Sequence, residues 1–199
     1  MRFSIIVPTH NGADRLPMCL NSVKQQVFTD YELIVVCDAC TDASADVAKS
    51  YGAKVIEIDA HKAGIARNIG INNATGEYIL FLDDDDWWLH EYVLSLINDK
   101  LTDEDVLCFS FIWKGVGYAK PMGNYGGKEH FVAVWSKCWK RSFIGNTRFS
   151  ERAVGEDVDF HWALWGKNPK YVDWDMPMYY YNYMRPGSIT WLDSQGRFV

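Results

Sequence analysis

Along the first hundred residues, apolar side chains alternate between two spacings. Residues 3–8, FSIIVP, and 32–38, ELIVVCD, are nearly continuous runs rich in β-branched residues, the pattern of strands buried on both faces of a parallel sheet. Between them Leu16, Leu20 and Val23 recur at i, i+4 and i+7. They form one face of a helix, with Pro17 in its first turn and Asp14 as a candidate cap. A second unit follows, in which Asp42 or Ser44 can cap a helix through about Tyr51, Gly52 ends it, and residues 54–58, KVIEI, form the next strand. Residues 63–76, AGIARNIGINNATG, then read as a helix closed by Gly76, and residues 77–82, EYILFL, as a fourth strand. Strands alternating with helices in this way predict an α/β, doubly wound architecture.

Beyond residue 101 the regularity weakens. Residues 106–113, VLCFSFIW, predict a fifth strand, whereas 115–130, GVGYAKPMGNYGGKEH, are glycine-rich without a clear period and read as a mobile loop. Seven of the nine tryptophans, at 113, 135, 139, 162, 165, 174 and 191, lie in this half. Core packing is the expectation for each, with sugar stacking or membrane contact as the alternative. Residues 155–165, GEDVDFHWALW, predict a helix with Val158, Trp162 and Trp165 on one face. Glu156 and Asp157 fall in its first turn, where the helix dipole favours acids.

A chain of 199 residues that is 48% hydrophobic suits one domain with an ample core. A net charge of -6 and a pI near 5.3 argue against nucleic acid as partner. The opening MRFSIIVPTHNG carries one basic residue and breaks at Pro8, so it reads as a strand and not a signal peptide, and no run reaches membrane-spanning length. The expected location is the cytoplasm, with peripheral contact at the inner face of a membrane left open. Five cysteines, an odd number, do not suggest a disulfide framework. Cys37 and Cys40 form a C-x-x-C, but no second such pair or nearby Cys–His pair completes a zinc site.

The chemistry concentrates where strands end. Thr9, Asp38 and Asp83 to Asp86 each follow directly after a predicted strand, and in an open α/β sheet ligands bind beyond the carboxyl ends of the strands. Four consecutive aspartates repel one another unless something neutralises them, and a divalent cation with oxygen ligands is the natural candidate. The plainer alternative is a solvated charge run, or caps for the helix predicted within 89–101, LHEYVLSLINDKL.

Four segments, SIIVPTHN (4–11), VVCDACTD (35–42), AGIARNIGINNATGEYILFLDDDDWW (63–88) and GEDVDF (155–160), closely resemble in order and spacing the family 2 inverting nucleotide-sugar glycosyltransferases of the GT-A fold. The weaker segments VWSKCWKRSFI (134–144), TRFSE (147–151) and YYYNYMRPGSIT (179–190) extend the resemblance along the chain. It implies an α/β GT-A (Rossmann-like nucleotide-diphospho-sugar transferase) fold, with a mostly parallel central sheet flanked by helices. It also implies a single domain, with 1–101 as the nucleotide-binding half and 102–199 as the acceptor-binding half.

Site roles follow from the same resemblance. Pro8, Thr9, His10 and Asn11 would lie against the nucleotide base, Asp38 would bond a uracil ring nitrogen, and Arg67 would sit beside that acid and the base. Asp83 and Asp84 would approach the ribose, and Asp85, with Asp83, would hold Mn²⁺ or Mg²⁺ on the diphosphate. Asp157 would be the general base, with Glu156 and Arg185 in the region of the acceptor and the donor phosphates. Two positions depart from the pattern: Cys40 stands where relatives commonly have serine, and Met184 precedes Arg185 where some carry two basic residues.

The expected activity is inverting transfer of a sugar from a nucleotide donor, a UDP-sugar foremost, to a hydroxyl of a saccharide or lipid-linked saccharide in glycan or polysaccharide synthesis. Three alternatives remain: a haloacid-dehalogenase-type phosphatase with Asp83 as nucleophile, a nucleotidyltransferase, and a non-catalytic sugar- or metal-binding module. The sugar, the acceptor, the linkage and the oligomeric state are not specified by these residues.

Overall fold

The apolar runs pair as strands. The computed structural model describes residues 1–125, 128–188, 192, 194 and 195, the stretch 122–130 by its backbone alone. β1 (Phe3–Thr9) lies between β2 (Tyr31–Asp38) and β4 (Tyr78–Phe81), parallel to both, and β3 (Lys54–Ile58) extends the sheet beyond β2. The crossovers are α1 (Leu16–Lys24), α2 (Ser44–Ser50) and α3 (Ala63–Asn73). After the short β5 (Trp87–Trp88) and α4 (Val93–Lys100), β6 (Val106–Trp113) returns to the same sheet.

β7 (Gly117–Ala119) folds back on β6, and β8 (Met122–Tyr125) pairs with β9 (Lys128–His130). β10 (Lys137–Lys140) fits antiparallel between β4 and β6. The short α5 (Arg141–Ile144) and then α6 (Glu156–Trp165) lead to β11 (Tyr171–Tyr181), which runs parallel to β6 and carries β5 at its other edge. Among the described residues the order is β3-β2-β1-β4-β10-β6-β11-β5, with β7 branching from β6.

Alternation along the central strands divides the core in two. Phe3, Ile5, Val7, Val35, Tyr78 and Leu80 meet Leu16, Leu20 and Val23 of α1 and Leu94 and Ile97 of α4 on one face. Ile6, Ile34, Val36, Ile79 and Phe81 meet Ala66 and Ile71 of α3 and Phe160 and Leu164 of α6 on the other. Each such fully buried aliphatic or aromatic side chain contributes about 1.5–3 kcal/mol. Helices on both faces leave only the rims of the sheet for ligands, and β1, β2 and β4 all end on one rim.

Several local expectations change. The stretch 115–130 contains β7, β8 and β9 where a mobile loop is expected, because Gly115 and Gly117 at φ 78° and 104° supply the turn that returns the chain onto β6. On α6 the buried residues are Glu156, Phe160, His161 and Leu164, while Trp162 is 38% exposed. Trp162 is therefore not the core residue expected, whereas Trp165 packs against the core and the helix buries Glu156 against an arginine. Trp135 and Trp139 are core residues as expected. Trp191, Ile189 and Thr190 lie outside the described residues.

Asp14 makes no cap for α1, whose first turn is held by the Gly12 carbonyl accepting from Arg15 and Leu16 N–H. Asp42 does accept from Ser44 N–H at the start of α2. At the start of α4 the N-cap residue Tyr92 makes no side-chain cap bond and the Leu94 N–H donates to Gln26 Oε1 at 2.9 Å, so the aspartate run does not serve that purpose. No helix among the described residues is long and apolar enough to cross a membrane.

Gly76 does not close α3, which ends at Asn73. It lies instead against β1, where a Cβ would come 2.6 Å from the backbone of Phe3 and Ser4. Gly76→Ala is expected to destabilise the fold by about 1–3 kcal/mol through overpacking against backbone that cannot move aside. Urea denaturation checks this, and unchanged stability would contradict the close approach.

Candidate active site

At the carboxyl ends of β1, β2 and β4 lies a cleft of about 480 Å³, lined among others by Thr9, Asp38, Arg67, Asp83, Asp84, Asp85 and Arg185. Its size is that of a small-molecule site. Pro8 lines it too, whereas Asn11, Glu156 and Asp157 lie outside its immediate wall.

Three consecutive aspartates crowd this rim because each has its own arginine. Asp83 Oδ1 accepts from Arg67 Nη2 at 2.7 Å, Asp84 Oδ1 from Arg15 Nε at 2.9 Å, and Asp85 Oδ2 from Arg185 Nε at 2.7 Å. Asp86 has hydrogen-bond donors instead: the Tyr179 hydroxyl at 2.6 Å and Asn182 N–H at 2.7 Å. Its buried carboxyl is pushed well above the usual carboxylate range by desolvation, and then by Asp83 and Asp85. Burial also raises Asp84, against the opposing pull of Arg15 and Thr9.

Arg67 does more than neutralise one acid. Its guanidinium is buried, and its Nη1 donates to Glu156 Oε1 at 2.7 Å while Nη2 holds Asp83. Burial alone would depress the guanidinium, but Asp83 and Glu156 more than offset it and keep the charge. The resemblance puts this arginine beside Asp38 and the base. It lines the same cleft as Asp38, and its side-chain bonds link the end of β4 to the start of α6.

Asp157, next on α6, accepts from Val158 N–H at 2.8 Å. Its carboxyl is raised by desolvation and by neighbouring Glu156, with Arg67 opposing. Of these two neighbouring acids, Glu156 is bonded to Arg67, whereas Asp157 accepts from the backbone of the residue that follows it.

Asp38 is buried with both oxygens engaged: Oδ1 accepts from Ala60 and His61 N–H, at 2.7 and 2.9 Å, and Oδ2 from Lys62 N–H at 2.7 Å. It thereby fixes the turn between β3 and α3. The Thr9 hydroxyl donates to Asp84 Oδ2 at 2.5 Å, and Gly12 packs so closely on this pair that a Cβ there would clash with both side chains. Asn11, at φ 47°, accepts from Thr41 N–H through its side chain at 2.8 Å and so ties the β1 and β2 loops together.

The Cys40 sulfur accepts from Asn11 N–H at 3.3 Å, a task a serine oxygen could also perform. Cys37 is buried, its thiol pushed up to about 12 by burial and by Cys40. All five cysteines are free.

Arg15, Tyr179 and Lys137 were not singled out from sequence. Lys137 is a fully buried lysine whose ammonium donates to the carbonyls of Phe131 and Ala133, at 2.5 and 2.9 Å. Desolvation lowers it to about 8. It fixes the segment carrying Trp135, which stacks on Tyr179 at 4.5 Å and 11°. Tyr179 in turn accepts from Asp83 N–H at 3.2 Å. Arg15 had one signal, a cation at the start of the helix that follows β1. Tyr179 meets Asp83 and Asp86 across more than 90 residues of chain, and Lys137 bonds nearby carbonyls that no side-chain pattern marks.

The model for glycosyl transferase family 2 matches residues 4–152. The glycosyltransferase GlyA of Streptococcus pneumoniae is 26% identical over 95% of this chain and 31% of its own length. The putative glycosyltransferase EpsH of Bacillus subtilis is 27% identical over 89% of this chain and 60% of its own. The crystal structure of S. aureus TarS 1-349 in complex with UDP superposes with a TM-score of 0.78 at 25% identity, covering 91% of this chain and 60% of that one. This chain thus spans about a third to three-fifths of the length of these proteins.

Arg67→Met would leave Asp83 and Glu156 facing each other without a counter-charge, so the expected loss is about 3–5 kcal/mol of stability. Adding Glu156→Gln should restore part of it. Urea denaturation of the three proteins checks this, and an Arg67→Met protein of normal stability would show that the bridge is not needed.

Proposed function

Because this chain belongs to glycosyl transferase family 2 and has the GT-A fold of its structural neighbours, we propose that it is an inverting, metal-assisted glycosyltransferase. It would move a sugar from a nucleotide donor, a UDP-sugar foremost, to a hydroxyl of a saccharide or lipid-linked saccharide, in glycan or polysaccharide synthesis. The observation that carries this reading is the cleft at the strand ends, where Asp38, the aspartate run, Arg67 and Arg185 converge. The UDP bound to TarS supports the choice of nucleotide.

The residues divide the work. We place the base beside Pro8, Thr9, His10 and Asp38, with Asn11 holding the loop that forms this end of the cleft. Asp38 Oδ2 takes one backbone donor in the described structure, so an ionised carboxylate still has a lone pair there for a uracil N–H. Asp84, fixed by Thr9 and Arg15, defines the ribose side.

Asp83 and Asp85 are the residues that would hold Mn²⁺ or Mg²⁺. Arg67 takes Oδ1 of the first and Arg185 takes Oδ2 of the second, so each has another oxygen to offer. Among the described residues no three such side chains are grouped to hold an ion by themselves, so the diphosphate oxygens would complete the shell. A cation there neutralises charge on the departing diphosphate.

The reaction needs a base because a sugar hydroxyl is a weak nucleophile near neutral pH. Asp157 would accept the acceptor proton as the hydroxyl oxygen attacks the anomeric carbon from the side opposite the diphosphate. The C–O bond to the diphosphate breaks as the new one forms, which inverts the carbon without an enzyme-bound intermediate. Glu156, bonded to Arg67, sets where this carboxylate stands. A positioned base contributes roughly 10² to 10⁴ in rate.

A panel of nucleotide sugars with and without Mn²⁺, scored for nucleoside diphosphate release, tests the reading. Metal-dependent UDP release from a UDP-sugar is expected, and no release from any donor would overturn it.

Asp157→Asn should lower kcat by roughly 10² or more with little change in UDP affinity or melting temperature. Near-normal transfer by the folded variant would remove Asp157 as base. The raised carboxyl of Asp157 also sets a pH limit. Only its ionised form accepts a proton, so kcat should fall as pH drops through a value above the ordinary aspartate range of about 4. A rate that stays flat down to pH values near 4 would contradict this.

A further inference from the structure

Arg185 sits where the proposed cation would act. Its Nε donates to Asp85 Oδ2 at 2.7 Å, with the two side chains 27% and 17% exposed. The segment leading to it is anchored on the same acidic run, through the Tyr179 hydroxyl on Asp86 and Asn182 N–H on Asp86. Met184, at φ 57°, then makes the left-handed turn that brings Arg185 back over Asp85. Tyr179 and Asn182 hold Asp86, which has no arginine. Among the described residues, Arg185 alone bonds Asp85.

A guanidinium and a divalent cation on one carboxylate repel each other. A cation arriving by itself at the other oxygen of Asp85 must therefore bind against the charge of Arg185, or displace it and leave it without an anion. A cation arriving with a nucleoside diphosphate brings the replacement, since phosphate oxygens bond a guanidinium as well as a carboxylate does, often in a bidentate manner. We propose that Arg185 is a stand-in cation for Asp85, which makes metal entry conditional on the diphosphate and then transfers its hydrogen bonds to the phosphates.

This rests on the functional reading above. It adds a specific coupling: metal and nucleotide should each strengthen the other's binding, by the same factor, and Arg185 should be a main source of that factor. Removing it should weaken the coupling in a definite direction. The bare metal should bind better, whereas a simple phosphate-binding arginine would leave bare-metal affinity unchanged.

The test is Mn²⁺ binding followed by electron paramagnetic resonance, without nucleotide and with UDP, for the wild type, Arg185→Gln and Arg185→Lys, each checked for folding by its melting temperature. Arg185→Gln should bind Mn²⁺ alone at least tenfold more tightly than the wild type, and UDP should enhance its Mn²⁺ binding less. Arg185→Lys, which keeps the charge, should stay close to the wild type. The proposal is overturned if Arg185→Gln binds Mn²⁺ alone no more tightly than the wild type, including the case in which neither binds it measurably, while both still bind UDP with Mn²⁺. A wild type that binds no UDP under any condition would overturn the functional reading with it.

Discussion

Neutralisation of crowded carboxylates at one rim of the sheet is the constraint on which this structure depends. β4 delivers four aspartates to the place where β1 and β2 also end. Such a run is tolerated because Arg67, Arg15 and Arg185 each take one acid, and a tyrosine hydroxyl and a backbone amide take the fourth. The three arginines come from α3, from the start of α1 and from the segment after β11. The same charges that would drive the rim apart therefore draw together three separate parts of the chain.

Among these contacts the Arg67 bridge has the widest consequences. It is the most enclosed of the three, with 8% of its side chain exposed, and in so dry a setting an unpaired charge is costly. By joining Asp83 to Glu156 it fixes the orientation of α6 and so the position of Asp157. Arg185 is more exposed and bonds a single acid, which suits a contact that must be exchanged during a reaction cycle. In the proposed cycle the Arg67 bridge to Asp83 would persist while the Arg185 contact with Asp85 would be exchanged.

The strands, the crossovers and the convergence of Thr9, Asp38 and the aspartates were legible in the sequence because they depend on local periodicity and on where each strand stops. The partners of the acids were not. Arg185 and Asp85 are 100 residues apart, and Arg67 and Glu156 are 89 apart, so no local pattern relates them. The exposure of Trp162 on α6 has the same origin. Core packing is the expectation for a tryptophan, but an ion pair with a distant arginine turns Glu156 inward and leaves Trp162 partly in solvent. The hairpin strands after β6 were hidden by glycines that look like loop residues yet serve the turn.

The central claim is that the aspartate run and α6, which carries the proposed base Asp157, act as one unit through Arg67. A double-mutant cycle on Arg67→Gln and Glu156→Gln tests it most directly, with the rate of nucleoside diphosphate release as the readout. If the bridge transmits position from one to the other, the double variant should be little worse than the more impaired single variant. Losses that simply add would show that the two residues act independently and would contradict the account.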